Sequence, residues 1–510
     1  MEAERPAWRR RTWNGTAYRL ALLTLLLSYL VHLRALGLQF PVPWPDEGSF
    51  LWPAIAVQEG NTLFAPELNP DRPVMWMPPG YMVVQGLIFK TTGFSLEWAR
   101  ELSALYMCAA VAMLAAFLAE SPARWLHLGL LAVFLHSPIL LLAGNTARME
   151  PLVLMVATGS LLLIRYDHAW PGLALALLAP LIHPNGAYFA LGAAAYFAIR
   201  ILRKPAAERR WVWGLLWLSG VAILWITYGA YVLHNWNDFV SDMAFQLRWK
   251  RFMDGATGGT WVRALRGENA LPALLTALLA IHAAYLGSAL TPLFAFIVPV
   301  RVLALTALGW SYDVYTALEY FLICCLGVDA VWTACTRLPA RFVRERHVLA
   351  ACAATLALAV LSHHLLTSDS PVTRSTTVAI ANIDDRSAPA YFEPADAEAV
   401  RAYLGSLRNQ GTEVIVQFSP LSDALLFWDL EGSGLRFSQP TFYAHPADVY
   451  IVHQSRHLSE RHRKMIEDGI AFQGISLPFD QWQVIRSRDE TERWLVYRRA
   501  PATAQGQPRD

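Results

Sequence analysis

Residues 171–199 read PGLALALLAPLIHPNGAYFALGAAAYFAI, an apolar run of 29 positions interrupted by His183-Pro184-Asn185-Gly186. The hydrocarbon core of a bilayer, ~30 Å thick, takes about 20 apolar residues per helix. The run is therefore long for one span and short for two, and the charges beside it decide between them. Arg200, Arg203, Lys204, Arg209 and Arg210 follow directly. Basic clusters of this kind stay in the cytoplasm, and a single crossing would put this one outside. Two arms turning at the HPNG tip keep it inside, and arms below full length are tolerated where neighbouring helices bury them.

Working outward, further apolar segments lie at 18–38, 100–119, 125–143, 150–165, 211–233, 271–290, 292–309, 313–334 and 347–366. Arg5, Arg9, Arg10, Arg11 and Arg19 place the N-terminus in the cytoplasm, as Arg337, Arg341, Arg344 and Arg346 place the 337–346 connection. The segment 39–99 holds six acids against Arg72 and Lys90 and fits the outside. Its apolar piece 74–90, with Pro78-Pro79, is expected to lie in the interface or re-enter. The first apolar stretch has no small-residue cleavage site after it and reads as a retained helix. The architecture expected is a polytopic α-helical membrane protein of about eleven spans, residues 1–366, in the inner or plasma membrane. A soluble α/β domain, 367–510, follows outside the cytoplasm.

Composition agrees with that division. Hydrophobic residues make up 55% of the 510 and charged residues 16%, well below the roughly 25% of soluble domains. From 367 onward, 34 of 144 residues are charged, against 48 in the 366 before them. A single soluble globule, a disordered chain and a coiled coil are excluded. The net charge of +2 leaves no nucleic-acid footprint. All five cysteines sit in apolar stretches, so the C-terminal domain has none to pair. In that domain 396–409 has helical spacing, 411–418 and 447–453 read as strands, and WQVIRS with RWLVYRR resembles a terminal strand pair.

Two acidic features stand out. Asp46-Glu47 follows the first helix in PVPWPDEGSF, and Glu150 opens a short helix in GNTARME beside Arg148. On position alone the first pair is as readily solvated, and Glu150 as readily a dipole-favoured cap. The threading, however, puts both on the outer face at the ends of successive spans. A carboxylate fixed there can act as general base or ligate a divalent cation, and Asp46 with Glu150 are the residues that would hold one. His183 at the HPNG tip faces the same side. Arg301, Glu319 and Tyr320 lie at membrane depth, where such groups line cavities.

PDEGSFLWPAIAVQEGN (45–61), RPVMWMPPGYMVVQGLIFKTTGFSLEWARELSAL (72–105), NTARMEPLVL (145–154) and GLALALLAPLIHPNGAYFALG (172–192) together resemble the polytopic GT-C glycosyltransferases. The closer likeness is to the branch of protein O-mannosyltransferases and lipid A aminoarabinose transferases, and it covers roughly 15–335. It implies transfer of a sugar, hexose or pentose, from a polyprenyl-phosphate donor to an extracytoplasmic lipid, polysaccharide or protein acceptor, with inversion. By the same resemblance Asp46 matches the catalytic carboxylate, Glu47 its neighbour, Glu150 the second acid and Arg100 the arginine of the helix after the Pro-Pro piece. Tyr312, Tyr315 and Tyr320 match a tyrosine-rich stretch beside the donor groove. One departure stands out: the family often has Lys before the two prolines, and this chain has Met77. The donor phosphate must then meet other cations, drawn from Arg72, Arg100, Arg148 and the RWKR cluster of Arg248, Lys250 and Arg251. No nucleotide is implied, since no Gly-rich phosphate loop is present. Two competing readings are a transporter or flippase for a lipid-linked sugar, to which broken helices and mid-membrane charges also belong, and an inactive homologue acting as scaffold.

Overall fold

The computed structural model describes residues 15–36, 45–205, 211–253, 274–281, 290–298, 313–336, 343–367, 394–408, 413–418, 421–432, 434–438, 447–453, 482–486 and 494–499. The first helix, α1 (Thr16–Leu36), turns Tyr18, Leu22, Leu25, Tyr29, Leu33 and Leu36 inward at spacings of three and four. Its two buried tyrosines donate their hydroxyls to the carbonyls of Ala115 (3.2 Å) and Leu140 (2.7 Å), which satisfies both phenols inside an apolar bundle.

Next come α2 (Pro45–Gly60), α3 (Gly80–Thr92) and α4 (Leu96–Leu118). Ser95 caps α4 by accepting from the Trp98 N–H. The expected span 125–143 is two helices, α5 (Arg124–Leu135) and α6 (Pro138–Gly144), bent 67° across a break at His136-Ser137. Pro138 explains the break, because it supplies no N–H and constrains the residue before it. In α7 (Met149–Arg165) most of the helix is buried, and α4 and α7 pack along their lengths.

The run 171–199 forms α8 (Ala169–Ala176), α9 (Ala179–Ile182) and α10 (Gly186–Leu202). Both α8 and α9 pack on α10, so the chain doubles back at His183–Asn185 as the two-arm reading expected. Then come α11 (Trp211–His234) and α12 (Trp236–Met253). Only Gly214 and Val221 of α11 are buried; its Trp213, Leu216 and Ile226 are exposed as on a lipid-facing helix. The segment between the apolar stretches 211–233 and 271–290 opens with the helix α12. Last in this part are α13 (Asp313–Thr336) and α14 (Val343–Thr367), packed together and against α5.

Among the described residues, four helices are long and apolar enough to cross a membrane: α1, α4, α11 and the 317–336 part of α13. Counting α5 with α6 as one broken span makes five. The other expected spans are shorter helices, such as α7 and the two arms around His183, or lie partly outside the described residues.

The C-terminal part has α15 (Pro394–Arg408), a 3₁₀ helix (Leu421–Leu430) and one five-stranded sheet. Its strands are β1 (Val414–Phe418), β2 (Leu435–Ser438), β3 (Val449–His453), β4 (Trp482–Arg486) and β5 (Trp494–Arg499), in the order β2-β1-β3-β5-β4. β1 pairs parallel with both β2 and β3, whereas β5 is antiparallel to β3 and β4. A central parallel strand is covered on both faces, and β1 is accordingly buried at four of its five positions. The 3₁₀ helix packs directly on α2, which joins this part to the helical body.

Candidate active site

The site is organised by the first turn of α2. Pro45 stands at the first helical position, where its fixed φ suits the helix and no N–H is missed. Asp46 and Glu47 follow, in the turn where the helix dipole favours negative charge. The two acids meet different surroundings. Asp46 is half-buried, whereas Glu47 is fully enclosed.

Glu47 accepts from Arg100 through Nε to Oε1 (2.9 Å) and Nη2 to Oε2 (2.8 Å), and its Oε1 also accepts the Ala147 N–H at 2.7 Å. Arg100 is 0% exposed. The pair thus ties α2 to α4 and to the 144–148 turn. Arg100, expected among the phosphate ligands, is turned onto Glu47 inside the bundle.

That turn carries the second acid. Arg148 stands at the start of α7 in extended conformation, and Glu150 lies in the helix's first turn. Arg148 donates Nε to Glu150 Oε2 (3.1 Å) and Nη2 to Oε1 (2.6 Å). Glu150 is 3% exposed, and His183 also bears on it electrostatically. The Asn185 N–H donates to His183 Nδ1 (3.1 Å), which leaves the proton of the neutral ring on Nε2. The HPNG tip is therefore brought beside the second acid, as the threading expected.

Tyr81, unremarked in the sequence, lies near both acids. It is fully buried, its hydroxyl is beside that of Ser103, and both Glu47 and Glu150 bear on it. Its only signal in the sequence is a tyrosine two positions after Pro78-Pro79.

Arg72 is held away from this cluster. Its guanidinium donates to both oxygens of Asp242 (3.0 and 2.6 Å), with Asp238 at 3.5 Å. Asp242 also accepts the Met75 N–H at 2.7 Å. These contacts raise the Arg72 pKa and bind α12 to the segment just before the Pro-Pro piece. The helical backbone of α12 runs on through Arg248, Lys250 and Arg251, about 9–14 Å along the axis from Asp242. At Met77, where the expected lysine is missing, an apolar hollow opens between Val74, Met75, Met77, Pro79 and Met82 on one side and Tyr228 and Tyr231 of α11 on the other.

The remaining expected residues are on α13. Tyr315 is enclosed, with its ring 5.3 Å from Phe189 of α10; Glu319 is 1% exposed and Tyr320 half-buried. Tyr312 and Arg301 lie outside the described residues. No group of three or more His, Cys, Asp or Glu side chains suited to a metal gathers among the described residues. Of the two residues expected to hold a divalent cation, Glu150 turns both oxygens to Arg148.

No family model and no curated protein matches the chain by sequence. Among solved structures, its fold matches that of ArnT from Cupriavidus metallidurans. One crystal structure is bound to undecaprenyl phosphate (TM-score 0.51, 12% identity) and the other is in the apo state (0.52, 13%). Each match covers 97% of this chain and 100% of the other.

Proposed function

We propose, on the fold shared with ArnT, that this chain is a GT-C membrane glycosyltransferase. It would move a sugar from a polyprenyl-phosphate donor to an acceptor outside the cytoplasm. The observation that carries the reading is the match over 97% of the chain to a structure holding undecaprenyl phosphate. The site then assigns the work. Asp46, half-buried and beside a locked neighbour, takes the proton of the acceptor's nucleophile. The nucleophile attacks the anomeric carbon as the bond from that carbon to the phosphate oxygen breaks, the bonding pair leaves with the polyprenyl phosphate, and the configuration inverts. Glu47 and Arg100 hold the turn, and Arg148 with Glu150 forms the opposite wall. A transfer assay with labelled donor in detergent tests the reading, since transfer without any gradient is beyond a transporter or an inactive scaffold.

The leaving phosphate needs preorganised cations. Arg72 is engaged by two carboxylates and serves to hold α12 in place. The RWKR end of that helix is expected to meet the phosphate, with Arg148 as the rival. Loss of one charge-assisted contact is worth ~1.5–3 kcal/mol, roughly ten- to a hundredfold. Arg248→Ala or Arg251→Ala is therefore expected to weaken donor use by that factor, and Met77→Lys to restore part of it. Donor dependence of turnover is the measurement. Arg248 and Arg251 variants equal to the parent beside a collapsed Arg148→Ala would move the phosphate to the 144–150 turn.

Orientation is tested by thiol labelling after Cys352, an exposed cysteine, is replaced by serine. A cysteine at the exposed Glu398 position is expected to react with an impermeant reagent in intact spheroplasts, and one at Ala207 only after lysis. The reverse pattern would put Asp46 on the cytoplasmic face.

A further inference from the structure

The C-terminal part touches the helical body at its most sensitive point. Gly48 is buried one residue after Glu47, and a Cβ there would fall 2.6 Å from Ser422 N and 2.9 Å from Ser422 Cα. The neighbours are backbone atoms at the start of the 3₁₀ helix and cannot rotate away. Ser422 and Asp423 are both 0% exposed. The contact continues in ring pairs, Trp52 with Phe437 (6.2 Å between centroids) and Phe94 with Trp428 (5.3 Å).

At 100° per residue, the first turn of α2 presents three directions. Gly48 faces the 3₁₀ helix and Glu47 faces Arg100. Asp46, 200° from Gly48, is carried on the side away from the Ser422 contact. We propose that the C-terminal domain is a positioning part of the transferase site, acting through the Gly48–Ser422 contact to set the place of Asp46. This deepens the reading given above and rests on it. Gly48 and Ser422 are positioning residues, since they act through the helix and touch no substrate.

The same interface carries a carboxyl pair. Glu67, on the segment between α2 and α3, lies within hydrogen-bond reach of Glu431, which also accepts the Phe437 N–H at 3.1 Å. Glu59 at the end of α2 and Arg436 on β2 face the pair, and Arg436 is itself bonded to Glu413 at 3.0 Å. Burial pushes both carboxyls up, Glu67 to about 7 with a lesser push from Glu59, and Glu431 further with the charge of Glu67 beside it. A folded-state value above the ordinary one means that docking is strongest while the pair keeps a proton. It weakens as the pH rises through about 7.

The experiment is steady-state kinetics of the full chain in detergent, with turnover expressed per folded, monodisperse molecule. Gly48→Ala is expected to lower kcat roughly ten- to a hundredfold, the scale of a displacement near 1 Å, with donor KM within about twofold. Glu431→Gln, whose amide can donate to Glu67 without titrating, is expected to flatten the decline of kcat above neutral pH. A packing role alone would lower folded yield and leave that pH profile unmoved. Folded Gly48→Ala with parental kcat overturns the proposal. If Gly48→Ala does not fold, Trp428→Ala takes its place, and parental kcat there together with an unchanged pH profile in Glu431→Gln overturns it equally. An active Asp46→Asn would instead remove the reading of the site, so the two failures are distinct.

Discussion

Asp46→Asn is expected to leave the protein folded and, on the proposed reading, to lower sugar transfer by ~10²-fold or more, because the amide keeps the size and polarity of the side chain and loses its basicity. The measurement is single-turnover transfer from labelled donor, with folded yield and thermal midpoint recorded beside it. Glu47→Gln falls in a different way. Glu47 has no exposed surface and serves Arg100 and the Ala147 N–H, so its loss acts on the shape of the turn and on stability together. Near-parental turnover in Asp46→Asn removes that residue from the chemistry.

Arg100→Ala has the largest expected effect on the fold. It strands the fully buried Glu47 carboxylate without its counter-charge, and breaking a buried pair from one side costs about 3–5 kcal/mol. Much of the chain's marginal stability is of that order, so folded yield in detergent and the unfolding midpoint should both drop sharply. Replacing both partners, as in Glu47→Met with Arg100→Met, removes the unpaired charge and is expected to recover most of the yield. Turnover stays low in the double variant, because the Ala147 N–H and the 144–148 turn lose their anchor. A midpoint for Arg100→Ala within error of the parent would show that the pair does not hold the body together.

Much of this arrangement is legible in one dimension, and what is not has a common cause. Apolar length and flanking arginines point to the helices, and the charge count around 171–199 anticipates the fold-back at His183–Asn185. The strands β1, β3, β4 and β5 are visible as alternating or continuous apolar runs. β2 is only four residues long and leaves no period to read. The start of α2 was hidden among prolines, although Pro45 followed by two acids is a helix-start pattern. The contacts that assign roles are invisible to any local reading. Glu47 and Arg100 are 53 positions apart, and Arg72 and Asp242 are 170 apart. Charge type made Arg72, and the family resemblance Arg100, a candidate for phosphate, whereas each turns to a carboxylate brought to it by the fold. Tyr81 was overlooked because a buried phenol near two acids looks, in sequence, like any core aromatic.

The near-solitary helix α11 has a consequence of its own. At 24 residues it is about 36 Å long, more than the ~30 Å of hydrocarbon it would cross. Gly214 and Val221 are its only buried residues, with Trp211 on Trp170 and Trp225 donating to the Leu177 carbonyl, so tilting is the expected way for it to meet the mismatch. Asn235 alone separates it from α12, which is moored to the body through Asp242 and Arg72. Lipid composition would thereby become a mechanical input. On the proposed reading, a change in bilayer thickness would work as a lever on the joint at Asn235, against the Arg72–Asp242 and Arg72–Asp238 contacts that hold the start of α12.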